Sequence, residues 1–285
     1  DGAVLLTLKP PAGEPLGRSA AGVGDQNGDG HADILVGAPG ANGVGPGSGR
    51  AFLYSGKDGS LLRSFEGEKA GDGLGSIVAG VSNGRGTPMV IGAAAGGPGN
   101  KGRAYVYQGS DPKPRFVIDA EPTGAALGAM FVSVVGDVDG DRVPDIYASD
   151  FSDSTKGAAT GRIYVHSGAD GRRLRMITGE NAGDGFGIGP ANLGDLDEDG
   201  HDDLVVGAWQ YGGVAQSGGR IYVFSGKDAR VLRTITGRIP GETLGFDAAG
   251  IGDVDGDGVV DLLVTSSWSN IKGFQTGRMF VISGR

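Results

Sequence analysis

The sequence predicts an all-β protein, a five-bladed β-propeller whose blades are four-stranded antiparallel sheets. A composite motif recurs about every 57 residues, so that five copies account for the 285 residues. The 59 glycines fall at repeated offsets beside aromatic and β-branched runs, which is typical of turns and bulges between strands. No segment shows a sustained helical spacing of apolar residues.

Each repeat has the same order of elements. An entry with Leu or Phe before Gly leads to an acidic loop, an apolar strand, a glycine-rich loop, an aromatic strand, a Ser-Gly-x-Asp-Gly hairpin and a last strand. Four-stranded units repeated radially leave only short sheet edges exposed, whereas a parallel β-helix has a much shorter period. The predicted repeats span roughly residues 11–66, 67–119, 120–178, 179–236 and 237–285, with a further strand over residues 1–10.

The two ends of the chain match each other in phase. Residues 283–285 begin a hairpin that residues 1 and 2 continue, and residues 3–8 have the composition of a last strand. We therefore predict one domain over residues 1–285, in which the N-terminal strand closes the fifth blade.

The acidic loop is best developed in the fourth repeat, where Asp195–Asp203 has the sequence DLDEDGHDD. Carboxylates stand at positions 1, 3, 5 and 9, a Gly at position 6 allows a sharp turn, and position 7 offers a backbone carbonyl. Ca²⁺ prefers six to eight oxygen ligands at about 2.3–2.6 Å, which alternate inward-pointing side chains can supply. The loop recurs in the first, third and fifth repeats, always before an apolar strand, so we predict four Ca²⁺ sites. The predicted ligands are Asp25, Asn27, Asp29, His31, Asp33, Asp137, Asp139, Asp141, Val143, Asp145, Asp195, Asp197, Asp199, His201, Asp203, Asp253, Asp255, Asp257, Val259 and Asp261.

The loops differ from an EF-hand and from one another. An EF-hand needs Glu at position 12 and flanking helices, whereas these loops have an aliphatic residue at that position. In the third repeat Arg142 replaces the position-6 glycine. We expect the weakest site there, because a side chain would stand where a positive φ is needed and a cation would stand beside the ion. The second repeat has lost the loop, and either Arg85 takes the place of the ion or the segment is a plain tight turn.

Composition restricts the function further. The formal net charge of −9 without a basic stripe argues against nucleic acid as a partner, and four Ca²⁺ ions would leave the chain nearly neutral. There is no cysteine, so disulfides and thiolate metal sites are excluded. Calcium loops of modest affinity fill where the ion is plentiful, which favours an extracellular, cell-surface or periplasmic location. We find no signal peptide, transmembrane run or initiator Met, and expect a monomeric domain of a larger chain without membrane insertion.

The motifs resemble those of a known family. The entry Phe186-Gly187, the loop Asp195–Asp203 and the strand end Gly37-Ala38-Pro39 are similar to the FG-GAP repeats of the integrin α-subunit propeller and of bacterial and other extracellular relatives. The resemblance covers the whole chain. It implies a propeller with calcium in the loops between the first and second strands, on the face opposite the partner-binding loops. Integrin propellers have seven blades, so the geometry of their partners does not transfer to five repeats.

The loops after the second strands carry large side chains that are candidates for binding a protein or glycan. Aromatic groups with a polar edge dominate the energetics of many interfaces, although they can equally pack over neighbouring blades. The candidates are Phe151, Trp209, Tyr211, Trp268, Lys272 and Phe274.

We therefore predict a calcium-binding extracellular adhesion module without catalytic residues. No histidine stands in a plausible nucleophile and acid set. Two alternatives remain. Acidic entry loops could form a glycosidase site with paired carboxylates, or the chain could be a structural spacer within a larger surface protein. The entry carboxylates are Glu14, Glu66, Glu68, Asp72, Glu121, Glu180, Asp184 and Glu242.

Overall fold

The computed structural model describes residues 2–11, 13–270 and 273–285. Within this part of the chain, regular secondary structure consists of β-strands and one three-residue 3₁₀ helix, so the all-β prediction is confirmed. No helix in these ranges has the length and apolar character that crossing a bilayer requires.

The chain divides into two compact units, Asp1–Val134 and Val135–Arg285. The first contains β1 (Ser19–Gly22), β2 (Ile34–Ala38), β3 (Arg50–Tyr54), β4 (Leu61–Glu66), β5 (Leu74–Gly80), β6 (Pro88–Ala93), the 3₁₀ helix (Pro98–Asn100), β7 (Arg103–Gln108), β8 (Phe116–Asp119) and β9 (Val132–Val134). The second contains β10 (Ile146–Asp150), β11 (Arg162–His166), β12 (Arg173–Thr178), β13 (Phe186–Asn192), β14 (Leu204–Ala208), β15 (Arg220–Phe224), β16 (Val231–Thr236), β17 (Leu244–Gly250), β18 (Leu262–Ser266) and β19 (Arg278–Ile282).

The strands form five sheets of three or four strands, and each sheet takes its strands from one predicted repeat. Consecutive strands pair antiparallel, as in β1-β2-β3-β4 of the first unit and β13-β14-β15-β16 of the second. In four of the five sheets the second strand is the most buried, and in the first sheet β2 and β3 are buried alike. Strands β6 and β14 are buried at every residue, whereas the outer strands β4, β12 and β16 alternate with exposed residues.

Glycine pairs allow successive sheets of one unit to approach closely. A Cβ on Gly37 of β2 would lie 2.1 Å from the carbonyl oxygen of Gly75 in β5. In the second unit a Cβ on Gly207 would lie 2.0 Å from the carbonyl oxygen of Gly245. The Gly of the entry motif therefore faces the strand Gly of the preceding repeat, and neither position has room for a side chain.

The entry motif also joins successive repeats through the backbone. The amide of Leu74 donates to the carbonyl of Ser48 at 3.0 Å, and the amide of Leu244 donates to the carbonyl of Gly218 at 2.9 Å. Both entry leucines are buried. An apolar anchor and a backbone hydrogen bond at one residue explain why Leu or Phe recurs there.

The fifth sheet differs from the prediction of four strands, because it contains only β17, β18 and β19. Residues 2–10 form no strand. Leu8 instead packs against the cluster in the first unit that includes Phe52 and Tyr54, and the Tyr54 hydroxyl donates to the carbonyl of Lys9 at 2.9 Å. The predicted closure of the fifth blade by the N-terminal strand is therefore not confirmed.

The second repeat has a short turn over residues 81–87 in place of the acidic loop. Arg85 does not fill an ion site in its own repeat. Its guanidinium lies on Gly28 of the first loop, where a Cβ would come within 2.0 Å of Nη2. The amide of Asp25 donates to the carbonyl of Gly84 at 2.9 Å, and the amide of Gly86 donates to the carbonyl of Asp25 at 3.0 Å. The turn of the second repeat thus supports the loop of the first.

Candidate metal centres and loop surface

The four acidic loops fold around the aspartate at position 1. In each loop its two carboxylate oxygens accept hydrogen bonds from the backbone amides of positions 5 and 6, at 2.7–3.1 Å. The position-5 aspartate accepts a further bond from the amide of position 7, at 2.8–3.1 Å. Local side-chain to backbone bonds of this kind are the reason that Asp and Gly dominate the sequence of the loop.

The aspartate at position 9 connects the loop to the hairpin that follows the third strand. One oxygen accepts from the amide of position 2 at 2.7–2.9 Å, and the other accepts from the glycine amide of the hairpin at 3.0–3.2 Å. All four aspartates are at most 1% exposed: Asp33, Asp145, Asp203 and Asp261. The loop and the hairpin therefore lie at the same end of each sheet.

The electrostatics of position 9 favour a nearby cation in the third and fourth repeats. Burial raises the pKa of Asp145 to about 7 and also raises the pKa of Asp203. The pKa of Asp261 is lowered instead, first by the hydrogen bond from the amide of Gly284. A cation in the loop would favour the ionised form of a buried carboxylate, which desolvation alone disfavours.

The side chains of three loops converge as a metal site requires. Carboxylate oxygens within 4.8 Å of one another are contributed by Asp137, Asp139 and Asp145, by Asp195, Asp197 and Asp199, and by Asp253, Asp255 and Asp261. Asp197 Oδ1 is buried and has no hydrogen-bond partner among the described residues. A buried carboxylate oxygen without a partner is costly, and a hard cation would satisfy it. These residues therefore fit Ca²⁺.

The first loop differs from the other three at position 3. It has Asn27 at position 3, whose amide donates to Asp29 Oδ2 at 3.0 Å, while its Oδ1 accepts from the amide of Asp29 at 2.9 Å. It therefore offers one carboxylate fewer than the other three loops, and Arg85 lies against it.

The left-handed backbone expected at position 6 is present in every loop. The φ angle is 87° at Gly30, 70° at Arg142, 89° at Gly200 and 87° at Gly258. The expectation that Arg142 is conformationally strained is thus confirmed. A second strained residue, Glu198 at position 4 of the fourth loop, was not predicted; its φ is 57° where the other loops have Gly.

The loops of the third and fourth repeats contact each other. The amide of Asp137 donates to Asp202 Oδ2 at 3.0 Å, and the amide of Asp202 donates to the carbonyl of Asp137 at 2.8 Å. The His201 ring places Nδ1 at 2.9 Å from the carbonyl oxygen of Val138. His201 was predicted only for its backbone carbonyl, and its ring has this additional role. Asp202 was not predicted at all.

Comparisons with known proteins agree with these features. FG-GAP repeat sequences match residues 17–54, and an FG-GAP-like repeat matches residues 195–264. Integrin alpha-4 of Xenopus laevis is 26% identical over 81% of the chain, and integrin alpha-3 of Cricetulus griseus is 25% identical over 82%. Human integrin alpha-IIb is 33% identical over 48% of the chain. The FG-GAP repeats and the similarity to integrin α chains, each over part of the sequence, support an FG-GAP, integrin α-like family.

The similarity extends over only part of each relative. The chain spans 23% of the length of integrin alpha-4, 23% of integrin alpha-3 and 14% of integrin alpha-IIb. Among solved structures, the Dos1 propeller aligns with a TM-score of 0.51 at 12% sequence identity, over 88% of this chain and 52% of the other. That likeness supports the β-propeller fold and nothing more specific.

The aromatic loops of the FG-GAP chain lie at the opposite end of the sheets from the metal loops. The rings of Trp209, Phe246 and Trp268 form one cluster, with centroid distances of 5.0 Å between the two tryptophans, 4.5 Å from Phe246 to Trp268 and 5.7 Å from Phe246 to Trp209. Both indoles are half-buried. Phe246, at the residue after the entry Gly, was not predicted.

The other predicted partner-binding residues have diverse environments. Tyr211 is 8% exposed beneath Arg220, whose guanidinium carbon lies 3.7 Å from the ring centroid, so the ring serves packing. Phe151 is half-buried, and Phe274 is 87% exposed. Lys272 lies outside the described residues.

In four repeats the arginine that begins the third strand pairs with glutamates of the acidic entry loops. Arg50 contacts Glu14 at 3.0 Å and Glu66 at 2.6 Å, and Arg103 contacts Glu68 at 3.0 Å. Arg220 contacts Glu180 at 3.2 Å, and Arg278 contacts Glu242 at 2.6 Å. A Gly-Arg pair before every aromatic strand is the sequence signal that could have revealed these ion pairs.

Asp72 and Asp184 have a structural role in the same entry loops. Asp72 Oδ2 accepts from the amides of Glu68 and Lys69, both at 2.9 Å, and Asp184 Oδ2 accepts from the amide of Asn181 at 3.0 Å. Each aspartate therefore closes the turn that precedes the entry motif.

Proposed function

We propose that this chain is a calcium-binding, extracellular adhesion-type propeller. The observation that carries the calcium assignment is the unpartnered, buried Oδ1 of Asp197 within a converging set of carboxylates. Converging carboxylates also occur in the third and fifth repeats, and the first loop is proposed as a fourth and weaker site. Kinship with integrin α chains supports an adhesion role and an extracellular location, where free calcium is plentiful.

We further propose that a protein or glycan partner binds at the Trp209, Phe246 and Trp268 cluster, with exposed Phe274 as an additional contact. Half-buried, closely packed rings are rigid and have a large apolar area, which are properties of interface anchors. The calcium loops lie at the other end of the same sheets. Calcium would therefore act on partner binding through the stability of the fold.

The glycosidase alternative is less well supported. A glycosidase needs two carboxyl groups with separate roles, one as acid and one as nucleophile or base. Among the described entry carboxylates, Glu14, Glu68, Glu180 and Glu242 pair with arginines, and Asp72 and Asp184 close turns. Carboxylates held in ion pairs or in turns in this way are not free to act as a catalytic pair.

The test begins with a glycan and protein array probed with the calcium-loaded chain. For any partner found, Trp209→Ala and Trp268→Ala should each weaken binding by about 2 kcal/mol, as the loss of aromatic anchors does. Val214→Ala is the matched control, because Val214 is 61% exposed on the same loop as Trp209 but outside the ring cluster.

Two results would contradict this assignment. Unchanged affinity in both tryptophan variants, with a loss in Asp199→Asn that remains folded, would move the partner to the calcium loops. An array without any partner would favour the spacer alternative.

A further inference from the structure

Two arginines outside the metal loops hold carboxylates inside them. Arg172 Nη2 lies 2.6 Å from Asp139 Oδ2, and Arg230 Nη2 lies 2.5 Å from Asp197 Oδ2. In both repeats the contacted aspartate is at position 3 of the loop. The arginine follows the Ser-Gly-x-Asp-Gly hairpin, or its variant with Ala229, and directly precedes the last strand.

The aspartate of the hairpin orients both arginine side chains in the same way. The amides of Arg172 and Arg230 donate to Asp170 and Asp228 at 2.9 and 3.0 Å, and the guanidinium Nε atoms lie 3.5 and 3.6 Å from the same aspartates. The arginine side chains are 59% and 54% exposed, whereas Asp139 and Asp197 are only 6% and 16% exposed. An exposed guanidinium thus reaches into the loop and contacts a carboxylate that is largely shielded from solvent.

The arginine contacts only one of the two carboxylate oxygens. Asp197 Oδ2 accepts from Arg230, while Oδ1 is buried without a partner among the described residues. Asp139 Oδ2 accepts from Arg172, while Oδ1 accepts a long bond of 3.3 Å from the amide of Asp141. The outer oxygen is therefore occupied and the inner oxygen remains available to a cation.

The first repeat has neither partner of this pair. Position 3 is Asn27, which carries no charge, and the residue after the hairpin is Ser60. The arginine and the position-3 carboxylate are thus present together in the third and fourth repeats and absent together in the first. This pattern fits a guanidinium charge that compensates the charge of the position-3 carboxylate.

We propose that Arg172 and Arg230 are positioning residues that stand in for the cation when the loops of the third and fourth repeats are empty. Four carboxylates crowded into one loop repel one another without an ion, and the guanidinium offsets part of that repulsion. With Ca²⁺ bound, the arginine is a second cation near the ion and contributes less. The inference rests on the proposed calcium binding and concerns residues that are not themselves ligands.

The test compares melting temperatures of the full chain in excess chelator and in excess CaCl₂. In the double variant Arg172→Gln, Arg230→Gln, we expect the calcium-free Tm to fall more than the calcium-loaded Tm. The rise in Tm on adding calcium should then exceed the wild-type rise by about 2–4 °C or more. Calorimetric titration should show a lower Kd for Ca²⁺ at these sites. Arg173→Gln is the matched control, since it removes the same charge from the residue next to Arg172.

A transplant into the first repeat tests the same idea in the opposite direction. Asn27→Asp adds a carboxylate to the loop and should lower the calcium-free Tm, and adding Ser60→Arg should restore it. The proposal is overturned if the double glutamine variant shows an unchanged or smaller rise with calcium, or if Ser60→Arg does not rescue Asn27→Asp. A wild-type protein without any rise contradicts the calcium assignment itself, whereas a wild-type rise that the variants leave unchanged contradicts only the role of the arginines.

Discussion

At the scale of single residues, the metal loops are determined by positions that need a left-handed backbone. Positions 4 and 6 have positive φ in all four loops, and glycine is present there except at Glu198 and Arg142. A Cβ at Gly30, Gly200 or Gly258 would meet no atom within 4 Å, so a side chain at position 6 costs conformational energy rather than space. This cost is roughly 1–2 kcal/mol for a non-glycine residue.

Arg142→Gly should therefore stabilise the calcium-free chain by about 1 kcal/mol, because glycine adopts the positive φ without strain. It should also tighten calcium binding at the third repeat, because the substitution removes the positive charge of the arginine from the loop. Chemical denaturation and calorimetric titration measure the two effects. Glu198→Gly is the matched control. It relieves the same kind of strain but removes a negative charge, so it should stabilise without tightening calcium binding. Equal changes in calcium affinity in the two variants would show that charge has no part in the effect.

At the scale of elements, the entry motif and the second strand form a joint between successive repeats. Gly207 and Gly245 approach so closely that a methyl group on Gly207 would lie 2.0 Å from a backbone oxygen. The neighbouring hydrogen bond from Leu244 to Gly218 and the burial of Leu244 fix the same joint. Backbone atoms cannot move aside as a flexible side chain can, so the joint tolerates no added volume.

Gly207→Ala should destabilise the chain by about 2–3 kcal/mol, in the range of overpacked cores. Gly40→Ala, in the loop after β2 of the first repeat, is the control, since its Cβ would meet nothing closer than 3.8 Å and its φ is not positive. We expect little change or a small stabilisation there. Urea denaturation of the two variants measures both effects. Comparable losses of stability in the two variants would mean that backbone flexibility, and not close approach of the strands, explains why glycine occurs at Gly207.

At the scale of the whole molecule, the predicted calcium sites are unevenly distributed. Three of the four acidic loops lie in the unit Val135–Arg285, and the same three contain the converging carboxylates. The unit Asp1–Val134 has only the loop with Asn27, which Arg85 contacts. Calcium should therefore stabilise the second unit more than the first.

Removal of calcium should lower the stability of the chain, by about 2.7 kcal/mol for each site that was held at a hundredfold excess over its Kd. Hydrogen exchange with and without chelator locates the effect. We expect the larger loss of amide protection in residues 135–285, especially in β14 and β18, which follow the loops of the fourth and fifth repeats. Excess Ca²⁺ should restore protection. Two results would contradict the assignment of calcium to these loops. One is an equal loss of amide protection in both units, and the other is no loss when calcium-loaded protein is treated with chelator.

The sequence alone determined the features that repeat along the chain. Five copies of one pattern predicted the strands and the metal loops, because a turn with alternating aspartates and a left-handed glycine is a local structure that short-range hydrogen bonds determine. The positive φ at Arg142 followed from the same local pattern.

Tertiary structure decided what lies between distant parts of the chain. Three contacts join residues 33 to 59 positions apart: Arg220 with Glu180, Arg230 with Asp197, and the ring of Trp209 with that of Trp268. Spacing along the chain does not encode such contacts, since they depend on which sheet ends meet. The N-terminal strand shows the same limit. Its composition suited the fifth blade, but Leu8 packs against the buried cluster of the first unit that includes Phe52 and Tyr54.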